Sequence, residues 1–261
     1  MLIDIRKGMV LVRLPGNSPR LMRLLPLLLI LLLPSCSAGD DAKEALDSAR
    51  RLAKEGKYEQ ALKKQVWFHN HGLDADRSYY GVRLSFALSE WIALGQKYPK
   101  ALDTLKGIRD EKTKRLLAGE TDRELFHDVE SINEHLGDSV ATVELFKRLE
   151  RSQAPFAASV YDLAEEALIR AKEFPLARKY LVDPAASLGK ARDRFQKGLQ
   201  YASKGRNADA HRQAFESIFT DRAIQIITIL NKTGSPDQAL AIQSEALAVL
   251  DNPEIRNAIS R

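Results

Sequence analysis

Apolar residues recur every three to four positions along most of the chain, the spacing that lays one stripe along a helix. Leu188, Ala191, Phe195, Leu199 and Ala202 form one such stripe, with charged residues on the remaining faces. The pattern predicts helices over residues 42–55, 58–72, 79–95, 99–117, 122–136, 139–152, 156–172, 174–182, 186–203, 207–231, 236–250 and 253–260. Breaks fall at Gly56, Gly95 before Pro99, Gly137, Pro155, Pro175, Pro184, Gly205, Gly234 before Pro236, and Pro253. No stretch alternates apolar and polar residues between hairpin turns. The chain therefore reads as all-α, with eleven to twelve helices.

The joints between these helices share a pattern. Gly56-Lys57-Tyr58 leads to Ala61-Leu62, and Gln96-Lys97-Tyr98 leads to Ala101-Leu102. Lys172-Glu173-Phe174 leads to Ala177, and Gly234-Ser235-Pro236 to Ala239-Leu240; a weaker copy surrounds Gly137. A glycine ends one helix in a left-handed turn. An aromatic residue covers the joint, and a small alanine lets the next helix pack closely. The spacing of these alanines gives a period of about 38–40 residues, within the range of α-solenoid repeats. The joints, with Trp91-Ile92-Ala93-Leu94-Gly95-Gln96-Lys97-Tyr98, resemble the tetratricopeptide repeat family over residues 42–182 and again over 219–253. The resemblance implies an α-solenoid of helical hairpins that holds a protein or peptide partner in a concave groove. A plain helical bundle is the competing architecture.

The front of the chain departs from this pattern. Residues 24–33 are a ten-residue apolar run behind Arg20 and Arg23. A membrane-spanning helix needs about 20 such residues, whereas a secretory signal needs fewer. The single cysteine, Cys36, follows in Leu33-Pro34-Ser35-Cys36. This segment resembles the lipobox of bacterial lipoproteins, with Pro34 an unusual middle residue. The resemblance implies a signal peptide over 1–35, lipid on Cys36, a tether over 36–41 and a folded domain over 42–261. It implies export to the cell membrane or outer membrane, facing the periplasm or extracytoplasmic surface; Ser37 in place of Asp favours the outer membrane where there are two. Met9 and Met22 are alternative starts.

Charge narrows the functional classes. The net charge of +5 falls mostly on the first 35 residues, which hold five basic residues and one acid; 35 basic and 34 acidic residues remain. Bulk charge thus gives nucleic-acid binding little support. Within the domain, residues 186–213 read as a basic insertion carrying Lys190, Arg192, Arg194, Lys197, Lys204, Arg206 and Arg212 against Asp193 and Asp209. That segment either forms a solvated face or steers an acidic partner or lipid headgroup.

Candidate chemistry is sparse. The one cysteine excludes a disulfide framework within the chain. No phosphate-binding loop, nucleophile elbow or paired-histidine zinc motif occurs, so no catalytic residue, cofactor or metal ligand is assigned. His69 and His71 lie about 200° apart on a helix and cannot share an ion there. His127 and His135 read as exposed neighbours of Asp128 and Glu134. Helix 79–95 is apolar nearly all round except for Arg83 and Glu90. Arg83 needs a partner, for which Asp110 and Glu111 are candidates. Arg83, Glu90, Arg109 and Glu111 are the candidate partner groove, and Trp67 and Trp91 are expected in the core. An enzyme acting on an envelope polymer and a small-ligand-binding lipoprotein are the alternatives to a scaffold.

Overall fold

The computed structural model describes residues 38–202 and 207–259. Among them are thirteen α-helices, one 3-10 turn and no strand. Helix α1 (Ala38–Lys54) pairs with α2 (Tyr58–Ala75). After a 3-10 turn at Arg77–Tyr79 come α3 (Tyr80–Leu84) and α4 (Phe86–Lys97), and α4 pairs with α5 (Pro99–Leu117). Helices α6 (Arg123–Leu136) and α7 (Ser139–Ser152) form the next hairpin, and α8 (Ala154–Arg170) and α9 (Phe174–Tyr180) the one after. Helix α10 (Pro184–Ala202) lies on α11 (Ala208–Lys232), followed by α12 (Pro236–Val249) and α13 (Pro253–Arg256). Helices α1, α4, α6 and α8 touch in succession as one layer, while α5 and α7 meet in a second. This neighbour-on-neighbour stacking is an all-α, solenoid-like arrangement.

Four of the five joints are built on one turn. Gly56, Gly137 and Gly234 have φ of +74°, +70° and +75°, and Lys172 holds the same left-handed turn at +60°. At each, two backbone bonds close the preceding helix: Lys57 N donates to Leu52 O and Gly56 N to Ala53 O, and the pair recurs at 137–138, 172–173 and 234–235. The joint at Tyr98 differs. There Gly95 lies inside α4, and Pro99 starts α5 directly. A Cβ on Gly95 would sit 2.3 Å from Leu102 Cγ, so this glycine serves close helix packing rather than a turn. The joint alanines Ala61, Ala101, Ala177 and Ala239 are all fully buried.

Several expectations are corrected. The first helix opens at Ala38, so residues 38–41 are helix rather than tether. The 79–95 helix is broken at Ser85, whose backbone leaves the helical region at φ −125°, ψ −89° and whose hydroxyl donates to Gly81 O at 2.7 Å. The break re-phases α4: Leu88 and Trp91 are buried, but Phe86 is 67% exposed, so the segment is not sandwiched all round. Trp91 joins the core, its indole N–H donating to Ala101 O at 2.9 Å across the joint. Trp67 does not; it is 38% exposed on the outside of α2 beside His71. Helix α10 packs its apolar stripe onto α11, with Phe195 stacked on Phe219 at 5.3 Å.

Candidate functional site

An apolar hollow lies between α1, α2 and α4. It has a volume of about 390 Å³. Its walls are Ala49, Ala53, Tyr58, Ala93 and Leu94, and Lys54 and Lys97 stand at its rim. Arg50 crosses the opening, donating from Nε to Glu90 Oε1 at 2.7 Å and from Nη1 to Asp47 Oδ1 at 3.1 Å. Glu90 is thereby held with its second oxygen spare: Oε2 is buried and has no hydrogen-bond partner. Gln65, 3% exposed, also lines the hollow and has an unpartnered Oε1. Two unpaired acceptors behind the hollow are unusual, because buried polar atoms are nearly always paired.

The four residues expected to form one groove do not converge. Glu90 alone reaches this cleft. Arg83 is buried at the junction of α2, α3, α5 and α6. Its partner is Asp128, to which Nη1 donates at 3.0 Å and Nη2 donates as well, and Lys112 binds the same carboxylate. Asp110 and Glu111 are not its partners: Asp110 pairs with Arg109, and Glu111 is exposed. Arg83 also donates to His69 O at 3.4 Å, tying in α2. Burial alone would push the Asp128 carboxyl up, but Lys112 and Arg83 hold it below the ordinary range. Arg109 bonds Asp110 at 2.8 Å, Asp138 at 3.1 Å and Asn133 at 3.3 Å, fastening the α6–α7 joint.

His127 and His135 are structural partners rather than exposed neighbours. His127 Nδ1 lies 2.9 Å from the Tyr80 hydroxyl, and His135 Nδ1 lies 2.8 Å from Ser131 O. His69 is buried edge-on against Trp91, and His71 lies on the exposed side near Asp74. Burial first, then Lys112 and Arg83, push the His69 imidazole down to about 3, so it stays neutral. Among the described residues, no three His, Cys, Asp or Glu are placed to hold a metal ion, and no helix is long and apolar enough to cross a membrane.

Farther along the same layer, α6 and α8 bring acids together. Glu134 and Glu166 lie close enough to act on Glu130, with Arg170 bonded to Glu166 at 2.6 Å and 3.8 Å from Glu134. Partial burial, with the charge of Glu134 and then Glu166 beside it, pushes the Glu130 carboxyl up to about 7. No sequence motif marks this group, because the acids come from two helices more than thirty residues apart.

The basic segment divides in the structure. Lys190, Arg192, Arg194 and Lys197 lie exposed on α10 and Arg212 on α11; Lys204 and Arg206, like Cys36, lie outside the described residues. Lys190 and Arg194 line a polar cavity of about 490 Å³ between α8, α10 and α11. Its floor is the ion pair of Arg222 with buried Glu165; Arg222 also donates to Ser187 Oγ at 2.6 Å, and Tyr161 donates to Glu165 at 2.6 Å. Arg222 is a residue the helical pattern gave no reason to single out.

Compared with family models, curated proteins and solved structures, the chain matches none.

Proposed function

We propose that the chain is a lipid-anchored scaffold of the bacterial cell envelope, built from tetratricopeptide-like hairpins. Its α1–α4–α6–α8 layer takes a protein or peptide partner that presents basic side chains. The observation carrying this reading is the crowded carboxylates of α6 and α8. Glu130 is driven to about 7 beside Glu134 and Glu166, and one arginine offsets them. A lysine or arginine arriving on that surface relieves the repulsion, which is how a charged face selects its partner. Stacked helical arrays suit such binding because they offer an extended, sequential surface.

The anchor rests on the apolar run at 24–33 and on Cys36 behind it. Several acyl chains hold a protein on a membrane, whereas one is marginal. Cys36→Ser should release the protein from the membrane fraction and leave the unprocessed mass. A mutant that partitions and matures normally removes the anchor from the account. Reversing charge with Glu134→Lys and Glu166→Lys should strip the partner from affinity-purified protein, while Glu144→Lys on α7 should not. Equal retention in all three variants counts against the α6–α8 surface.

A further inference from the structure

We infer that the cavity between α8, α10 and α11 binds a phosphate monoester. This goes beyond the scaffold reading and rests on the cavity alone. The acids of its wall are spent. Both Asp162 oxygens accept from Arg123, at 2.7 and 2.6 Å. Buried Glu165 accepts the Tyr161 hydroxyl at Oε1 and Arg222 at Oε2. The donors of the wall are not spent. Lys190 and Arg194, both exposed, have no hydrogen bond or ion pair among the described residues. Ser187 Oγ and Gln225 Oε1 accept from Arg222 at 2.6 and 3.3 Å, which leaves the serine hydroxyl hydrogen and the glutamine amide N–H groups as donors. The cavity thus offers donors and two uncompensated positive charges to whatever enters it.

These donors converge. Ser187, Lys190 and Arg194 stand at successive turns on one face of α10. Residues one turn apart are about 5–6 Å apart at Cβ, so the long side chains of Lys190 and Arg194 can meet on one group. Arg222 reaches across from α11 to the first of the three. Arg194, Arg222 and Gln225 also wall a smaller hollow of about 250 Å³ alongside, so Arg194 stands next to the α11 pair as well. Asp221 lines that smaller hollow, where its carboxylate accepts from Ser217 Oγ at 3.3 Å. A doubly charged anion suits such a wall. A phosphate monoester carries about −1.5 to −2 near neutral pH and three acceptor oxygens. Its tetrahedral oxygens take donors from α10 and α11 at once, whereas a carboxylate presents two oxygens in one plane. The volume of about 490 Å³ holds the phosphate with an attached organic group and falls in the range of small-molecule sites.

The test is calorimetric titration of the purified full chain with sn-glycerol 3-phosphate, and in parallel with dihexanoyl phosphatidic acid, succinate and glycerol. The first two present the same phosphate, free or as a lipid headgroup. One of them should bind at one site per chain; tighter binding of the first assigns a soluble ester, and of the second a lipid. Succinate, with the same charge on planar groups, should bind at least tenfold more weakly, and glycerol should not bind. Lys190→Gln and Arg194→Gln should each weaken the phosphate at least tenfold and leave the ligand-free melt unchanged, because both residues are exposed. Arg192→Gln, about 200° round α10 from both, should bind as the parent does. Should either of the first two variants fail to fold, the other against Arg192→Gln decides. No binding of either phosphate, equal binding of succinate or glycerol, unchanged binding in Lys190→Gln and Arg194→Gln, or an equal loss in Arg192→Gln overturns the inference. None of these outcomes bears on partner retention at Glu134 and Glu166, so the two readings fail separately.

Discussion

Lys172 occupies a left-handed turn at φ +60°, where the equivalent joints use glycine. For a residue with a Cβ this conformation costs about 1–2 kcal/mol. The turn persists because Glu173 N and Lys172 N still close α8 on Leu168 O and Ile169 O, and because Ala177 is sealed in the core behind it. Other residues carry their strain as displaced protons. The Glu130 carboxyl stands near 7 against an ordinary 4.5. Between those pH values the folded chain holds a proton that the unfolded chain releases, so stability falls as pH rises through the window. Glu130→Gln should therefore gain stability over the parent as pH goes from 5 to 8, by at most about 3 kcal/mol after allowance for its partial exposure. His69 acts in the opposite sense, losing stability as pH falls from 6.5 towards 3, but it is common to both proteins and cancels in the comparison. Urea melts of parent and variant at pH 5 and pH 8 check this; a difference independent of pH contradicts the shifted carboxyl. At this scale the sequence was partly legible. Small residues at the joints were readable because close packing admits nothing larger. Trp67 was misread because apolar character alone does not say which side of α2 faces inward.

At the scale of elements, the helix starts and stops were readable from glycine and proline, and α5 and α7 run over the expected residues. The break at Ser85 was not. Nothing but serine's capacity to bond backward to a carbonyl marks it, and that capacity is common to many serines that leave helices intact. The clamp of Arg83, Asp128 and Lys112 shows a second limit. The need for a buried partner was evident from Arg83, but its identity depends on how α6 folds back across α3, 45 residues later. This clamp fixes α2, α3, α5 and α6 in one register. Asp128→Asn should leave a buried guanidinium without its counter-charge and lower unfolding free energy by about 3–5 kcal/mol. Denaturant melts check the magnitude. A loss below about 1 kcal/mol would mean that solvent reaches the clamp and that the register is held by apolar contacts alone.

Across the whole molecule, neighbour-on-neighbour stacking gives two layers with different surfaces. The α1–α4–α6–α8 layer borders the apolar cleft at one end and carries the crowded carboxylates of Glu130, Glu134 and Glu166 farther along. The all-α architecture was legible because every joint reads as a stop followed by a start. The site was legible only as far as Glu90, since the cleft depends on Gln65 and Arg50 from other helices. The central claim is that this layer, and not the opposite one, meets the partner. Site-specific photo-crosslinking in living cells tests it most directly, with the reactive residue placed at Ala93 or Glu134 on this layer, or at Lys106 or Glu144 on the α5–α7 layer. The account predicts a common protein adduct from Ala93 and Glu134 and none from Lys106 or Glu144. Adducts confined to Lys106 and Glu144, or no adduct from the first pair, would contradict it.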